Sequence, residues 1–171
     1  MNTARLFLLY FYLSTITELN NHYLYHMQEI LEKAIQIAVN AHFGQTDKTG
    51  APYIFHPLRV MGRVSSTEER IVAVLHDVVE DTSVTFEDLV EAGIPKHLVL
   101  ILRILTRKVD TPYEGYIEKI GENSVATAVK IADLTDNMDA SRLPKITEDD
   151  FTRLQKYSES LRYLKSISGI K

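Results

Sequence analysis

The stretch Leu75-His76-Asp77-Val78-Val79-Glu80-Asp81-Thr82 sets a His-Asp pair one helical turn ahead of a Glu-Asp pair. Both follow the apolar run Ile71-Val72-Ala73-Val74-Leu75. A helix that is apolar almost all round is normally buried, and burying an unpaired charge is expensive. In a continuous helix His76 and Glu80 share one face, and Asp77 and Asp81 share another. One imidazole and three carboxylates then point toward one region. That is the composition of a divalent-metal hydrolytic site.

Other residues fit the same chemistry. His56 lies in Tyr53-Ile54-Phe55-His56-Pro57-Leu58. Pro57 suits the first position of a helix, which places His56 at that helix's start, where a side chain can point into a cleft. Asp133 comes late in the apolar segment Val129-Lys130-Ile131-Ala132-Asp133, with Asn137 one turn on. Asp133 fits equally as a buried partner of a base or as a metal ligand, whereas Asp136 and Asp139 read as solvent-facing. His42 and Gln45 serve as a cap, as support for the site or as substrate contacts. Lys48, Arg107, Lys108, Lys130, Arg142 and Arg153 are candidates for holding phosphate. His22, His26 and His97 have no acidic neighbourhood and read as ordinary surface or packing residues.

Composition bounds the alternatives. The 171 residues suit one domain with a real core, 45% hydrophobic and 25% charged. A net charge of -4 gives no global basic field for nucleic acid or an anionic membrane. Without cysteine there are no disulfides, thiolate metal sites or Cys nucleophiles. Seven glycines form neither a P-loop nor a Gly-x-Gly-x-x-Gly pattern, which argues against those nucleotide sites. The apolar stretch Leu6 to Leu13 is too short to span a bilayer. No small-x-small cleavage site follows it, so a helical extension over 1–26 is expected rather than a signal peptide. A cytoplasmic protein with its domain over 27–171 is expected.

The elements that must position these residues are all helical. Ile30, Leu31, Ala34, Ile35, Ile37, Ala38 and Ala41 follow helical spacing. A Gly/Pro-punctuated loop runs from Phe43 to Pro52. Ser66-x-x-Glu69 reads as a capping box opening the His-Asp helix, which Thr82-Ser83-Val84 ends. Thr85-x-x-Asp88 opens another helix and Gly93 closes it. Pro95 starts the next, and Tyr113 to Ile120 forms a short one. Asn123 or Ser124 caps a helix running to Met138. After a loop at Pro144, Thr147-x-x-Asp150 caps a long final helix. No alternating strand pattern appears, so an all-α bundle of about eight helices is expected.

Four pieces stand in order: Ala41-His42-x-Gly44-Gln45, Pro52-Tyr53-Ile54-x-His56-Pro57-Leu58, Leu75-His76-Asp77-Val78-Val79-Glu80-Asp81-Thr82, and Val129-Lys130-Ile131-Ala132-Asp133-x-x-x-Asn137. Together they resemble the HD-type hydrolase domain of the RelA/SpoT family over about residues 28–165, in the manner of a stand-alone small alarmone hydrolase. The resemblance implies an all-α HD-domain bundle. It also implies hydrolysis of the 3′-diphosphate of (p)ppGpp to GDP or GTP and pyrophosphate, usually with Mn²⁺. It implies His56, His76, Asp77 and Asp133 as metal ligands and Glu80 and Asp81 as the catalytic acidic pair. Lys48, Lys130, Asn137, Arg153 and Tyr157 would meet the nucleotide substrate, with no nucleic acid or membrane partner.

The sequence departs from the family pattern in the loop after Gly44-Gln45. Where the family usually carries a basic pair whose Arg stacks on guanine, Asp47 and Lys48 stand here. An acid cannot make that cation–π contact. Downstream of Asn137, Asp139 and Ala140 stand where the family often has Arg and then Thr. Two further readings therefore stay open: an HD phosphohydrolase acting on another nucleotide such as NADPH, and a non-catalytic nucleotide-sensing module.

Overall fold

A computed structural model describes residues 3–142 and 145–169, with side chains left out at 3–16, 19, 20 and 142. The side chains of Leu6 to Leu13, that of Arg142 and the Pro144 loop thus lie outside the described residues. The fold is helical throughout: α1 Thr3–Ala41, α2 Phe55–Gly62, α3 Thr67–Leu75, α4 Val78–Asp81, α5 Phe86–Glu91, α6 Lys96–Leu105, α7 Tyr113–Gly121, α8 Ser124–Asn137 and α9 Glu148–Ser168, with a 3₁₀ turn at Ala140–Arg142. Since α4 is a single turn, eight longer helices remain among the described residues, as the periodicity predicts. Among the described residues the one β feature is an isolated bridge between Thr46 and Pro52, which pinches the loop before α2.

The local signals act as their chemistry requires. Ser66, Thr85 and Thr147 each accept a bond from the backbone amide three residues on. Glu69, Asp88 and Asp150 in turn accept from the cap residue's own amide, so three capping boxes close on orphan amides. Asn123 caps α8 by accepting from the Ala126 amide. Gly93 follows α5 at φ +90°, a conformation an L side chain rarely adopts. α2 begins at Phe55, two residues before Pro57. The proline still lies in the first turn, where its missing amide costs no helix bond.

The expected single helix from Ser66 to Thr82 does not form. It breaks after Leu75, and α4 restarts at Val78. Upstream of the break, Ile71, Val72, Ala73, Val74 and Leu75 are all fully buried. α3 is the central rod of the bundle, packed against α1, α2, α6 and α8. Downstream, Glu80 and Asp81 are exposed. Across the break the chain passes from a wholly apolar environment at Leu75 to a solvent-facing one at Glu80, with Val78 still buried between them.

α1 crosses from a buried to an exposed stretch. Met27, Ile30, Leu31, Ala34 and Ala38 face the core, whereas Tyr23, Leu24 and Tyr25 are exposed. α6 is strongly two-faced: Leu98 is fully buried and Leu100 is 62% exposed. Leu98→Ala is expected to lower unfolding free energy by about 2–5 kcal/mol, and Leu100→Ala to change it by no more than about 0.5 kcal/mol. Urea titration of both variants measures the difference, and equal losses would contradict this register for α6.

Candidate metal centre and cleft

His56 from α2, His76 from the break after α3 and Asp133 from α8 converge in the interior, 7%, 5% and 4% exposed. One ligand atom from each lies within 4.8 Å of the others. His56 Nε2 is 3.3 Å from Asp133 Oδ1, and His76 Nε2 is 3.7 Å from the same oxygen. Asp77 Oδ2 approaches His76 Nε2 at 3.1 Å and His56 Nε2 at 3.5 Å. The four residues that the resemblance implies as ligands therefore meet in space, although they come from three parts of the chain.

The tautomers are set from outside the cluster. His76 Nδ1 lies 2.7 Å from the Ala73 carbonyl, which can only accept, so Nδ1 carries the proton there. His56 Nδ1 is 2.8 Å from Asp136 Oδ2 and donates to it in the same way. With Nδ1 donating outward, each ring turns Nε2 toward the carboxylates, the nitrogen that a metal ion would take in place of a proton. His76 Nε2 is buried without a hydrogen-bond partner. An orphaned ring nitrogen beside two carboxylates fits a divalent cation.

The electrostatics agree. Burial opposes the charge on Asp77, but the adjacent His76 ring outweighs it and holds the carboxyl at about 2. Burial likewise opposes charge on Asp133. Lys130, with Nζ 2.7 Å from Asp133 Oδ2, and the two histidines hold that carboxyl well below the usual range. Burial disfavours a proton on His76, yet the neighbouring carboxylates raise its pKa well above normal. The same negative field would attract a divalent ion.

Asp136 corrects the sequence reading, which placed it at solvent. It is fully buried. Its Oδ1 accepts from Arg59 Nε at 2.8 Å, and its Oδ2 accepts from Arg59 Nη2 at 3.0 Å and from His56 Nδ1. Periodicity gave no signal, because a paired buried aspartate and a surface aspartate have the same letter. Arg59, one turn after Phe55 and facing α8, was the available clue. Asp139 is exposed but lines the cleft.

His56, Asp77 and Asp133 line a cleft of about 420 Å³, and His76 lies outside its lining. Lys48, Lys130, Asn137, Arg153 and Tyr157 all line it, beside His56, Asp77 and Asp133. Asn137 donates to Asp133 Oδ1 at 2.5 Å, and Arg153 Nε is buried without a partner. Lys48 and Arg153 both reach Asp150 Oδ1, at 3.5 and 2.9 Å, which ties the loop before α2 to the start of α9. Arg107 and Lys108 do not line this cleft. The Arg107 guanidinium instead donates to the Thr111 carbonyl.

Glu80 and Asp81 do not line this cleft; they sit on the exposed turn that follows Asp77. Tyr53 Oη donates to Asp77 Oδ2 at 2.6 Å and lies 3.2 Å from Asp81 Oδ2, so Asp77 and Asp81 do face one way. Glu80 Oε2 accepts from the Arg107 amide at 3.2 Å. Burial, with Asp77 adding to it, raises both carboxyls above their ordinary values. His42 and Gln45 work together. His42 Nδ1 meets Gln45 Oε1 at 2.8 Å, and Gln45 Nε2 donates to the Asp81 carbonyl at 3.0 Å. They position the acidic turn and do not line the cleft.

Burial raises the Asp136 carboxyl, but the Arg59 and His56 bonds more than offset it and bring it down to about 2. Its charge therefore stabilises the fold above the unfolded carboxyl value of about 4, and that stabilisation fades as pH falls toward about 2. Asp136→Asn is expected to cost about 3 kcal/mol at pH 7. The gap to the parent protein should narrow as pH drops from about 4 to about 2, as followed by acid and urea titration. A gap independent of pH would mean that the charge does not act.

No family model matches the chain. Parts of it align with curated proteins. The guanosine-3′,5′-bis(diphosphate) 3′-pyrophosphohydrolase of Aquifex aeolicus is 40% identical over 80 residues, 44% of this chain and 11% of that protein. The GTP pyrophosphokinase of Myxococcus xanthus is 35% identical over 127 residues, 64% of this chain and 17% of that protein. The bifunctional (p)ppGpp synthase/hydrolase SpoT of Escherichia coli K12 is 41% identical over 63 residues, 34% of this chain and 9% of that protein. The chain thus spans less than a fifth of the length of these relatives. A solved metazoan ortholog of SpoT, described as hydrolysing ppGpp, superposes with a TM-score of 0.65. The match covers 79% of this chain and 84% of that one at 22% identity, a likeness of fold. With its buried His/Asp cluster on an all-helical HD fold, the chain is homologous to the hydrolase region of the SpoT and RelA proteins.

Proposed function

We propose that this protein hydrolyses the 3′-diphosphate of (p)ppGpp, releasing pyrophosphate and GDP or GTP, with Mn²⁺ held by His56, His76, Asp77 and Asp133. The observation that carries the reading is the His56-His76-Asp133 cluster, of which His56 and Asp133 line a cleft that also presents Lys48, Lys130 and Arg153. A divalent ion held there would supply Lewis acidity toward a phosphoryl oxygen and would acidify water. The chain's own residues do the rest.

Water adds to the phosphorus next to the ribose 3′ oxygen. That P–O bond breaks, and the departing 3′ oxygen takes up a proton. Glu80 or Asp81 accepts the proton of the attacking water. Their raised pKa values suit them to this, since a base nearer neutrality takes a proton more readily. Tyr53, bonded to Asp77, holds the acidic turn beside the cluster. Lys48, Lys130 and Arg153 offset phosphate charge. Asn137 contacts the ribose or phosphate region, and Tyr157 faces the substrate.

A second reading, hydrolysis of another nucleotide such as NADPH, is favoured by Asp47. It lines the cleft, and its Oδ1 accepts from the Thr49 amide at 2.8 Å, the Thr49 hydroxyl at 2.6 Å and the Ala51 amide at 3.1 Å. The carboxylate shapes its own turn and offers a base no cation. A non-catalytic nucleotide-sensing role would leave the acidic pair without a task.

An assay with Mn²⁺ and ppGpp, pppGpp or NADPH, reading pyrophosphate against orthophosphate, separates these readings. Pyrophosphate release from ppGpp is expected. Chelation should abolish it, and Asp77→Ala, or Glu80→Ala with Asp81→Ala, should reduce it by at least about 100-fold. Unimpaired turnover in those variants would remove the roles given to these residues, and orthophosphate release from NADPH alone would favour the second reading.

A further inference from the structure

A second cavity, of about 450 Å³, opens between α5, α6 and α7. Arg103, Lys108 and Lys119 line it, and among the described residues no Asp or Glu does. In a chain with a net charge of -4, three cations around one concavity run against the overall balance. Like charges that outnumber their counter-charges raise the local potential and attract anions.

The cations differ in how they are held. The Arg103 guanidinium sits 4.2 Å over the Phe86 ring, and its Nη2 is 2.7 Å from Glu87 Oε1. Glu87 is therefore the carboxylate nearest this side chain, but it is 72% exposed and outside the cavity lining. A solvent-exposed pair of this kind binds weakly, and the guanidinium has donors to spare. No ion pair engages Lys108 or Lys119 among the described residues. Gly115 leaves its side open, since a methyl group added there would meet no atom within 4 Å.

From this geometry we infer that the cavity between α5, α6 and α7 is a second anion site, taking a small phosphorylated molecule with at least two negative charges. Its volume exceeds what a single phosphate fills, and three cations match a polyanion better than a monoanion. Phe86 and Tyr116 supply apolar wall beside them. The site is separate from the cleft, and Tyr116 stands between the two: its ring lines the cavity and lies 5.5 Å from Lys130 Nζ. Lys108 and Thr111 belong to the same loop as Arg107, whose amide holds Glu80. An anion on that loop is therefore one residue from a group that touches the acidic pair.

The test is NMR titration of the metal-free protein with inorganic pyrophosphate at about 150 mM salt. Saturable shifts are expected for amides over 104–119, Arg107 included, with a Kd below about 1 mM. Lys108→Glu with Lys119→Glu should weaken these shifts at least tenfold by reversing charge, and Gly115→Leu should do so by filling space. Neither variant touches a residue of the cleft, so shifts at Lys130 and Arg153 serve as an internal reference for folded protein. Three results would overturn the site: no saturable shift over 104–119, shifts confined to the cleft, or shifts that persist unchanged in both variants.

Discussion

Asp133 and Asp136 stand three residues apart on α8, and both carboxylates are buried. Each is a large debt of solvation that only nearby donors can offset, and much of the surrounding structure answers to it. Asp136 takes two donors of Arg59, on Nε and Nη2, and the Nδ1 proton of His56. Asp133 takes Lys130 on one oxygen and Asn137 on the other, with both histidine Nε2 atoms nearby. α2 is thereby pinned to α8 through charge as well as packing. The His56 ring is clamped between the two acids, with Nδ1 on Asp136 and Nε2 facing Asp133.

That clamp explains why the break after Leu75 matters. A continuous helix would carry its apolar burial onward and keep His76 and Glu80 stacked on one stripe. The chain instead leaves the helix at His76, so the ring can bond back to the Ala73 carbonyl and aim Nε2 inward. Asp77 closes on it, and α4 then carries Glu80 and Asp81 out toward solvent. One short segment thus serves two environments. Its buried half has the traits of a cation site, and its exposed half has the raised carboxyl pKa values of a proton acceptor.

The fold was largely legible because helices announce themselves locally. Ser66/Glu69, Thr85/Asp88 and Thr147/Asp150 are bonds between residues three apart, so the letters alone carry them. The meeting of His56, His76, Asp77 and Asp133 was legible only through the spacing of motifs, since no local rule brings three helices together. Asp136 was misread because its burial depends on Arg59, 77 residues away. The break at His76 was missed because Ile71 to Glu80 contains neither Gly nor Pro. It follows from tertiary competition, in which inward-facing side chains outweigh one more turn of helix bonds. Propensity yields to packing in such places.

The loop before α2 shows how a departure from a family pattern can be structural and chemical together. Asp47 closes its own turn through Thr49 and Ala51, while the Thr46–Pro52 bridge pinches the loop's base. Lys48, the next residue, reaches away to Asp150 at the start of α9. Asp150 also holds Arg153, whose Nε is left unpartnered at the cleft. An arginine at 47 would free the turn's amides and add a cation to a wall that now has an acid. The present arrangement fixes the loop by internal bonds and concentrates the cleft's positive charge on Lys48, Lys130 and Arg153. In the function proposed above, phosphate would meet Lys130 and Arg153 on helices α8 and α9, and a base would meet a loop whose Asp47 side chain is already occupied by its own turn.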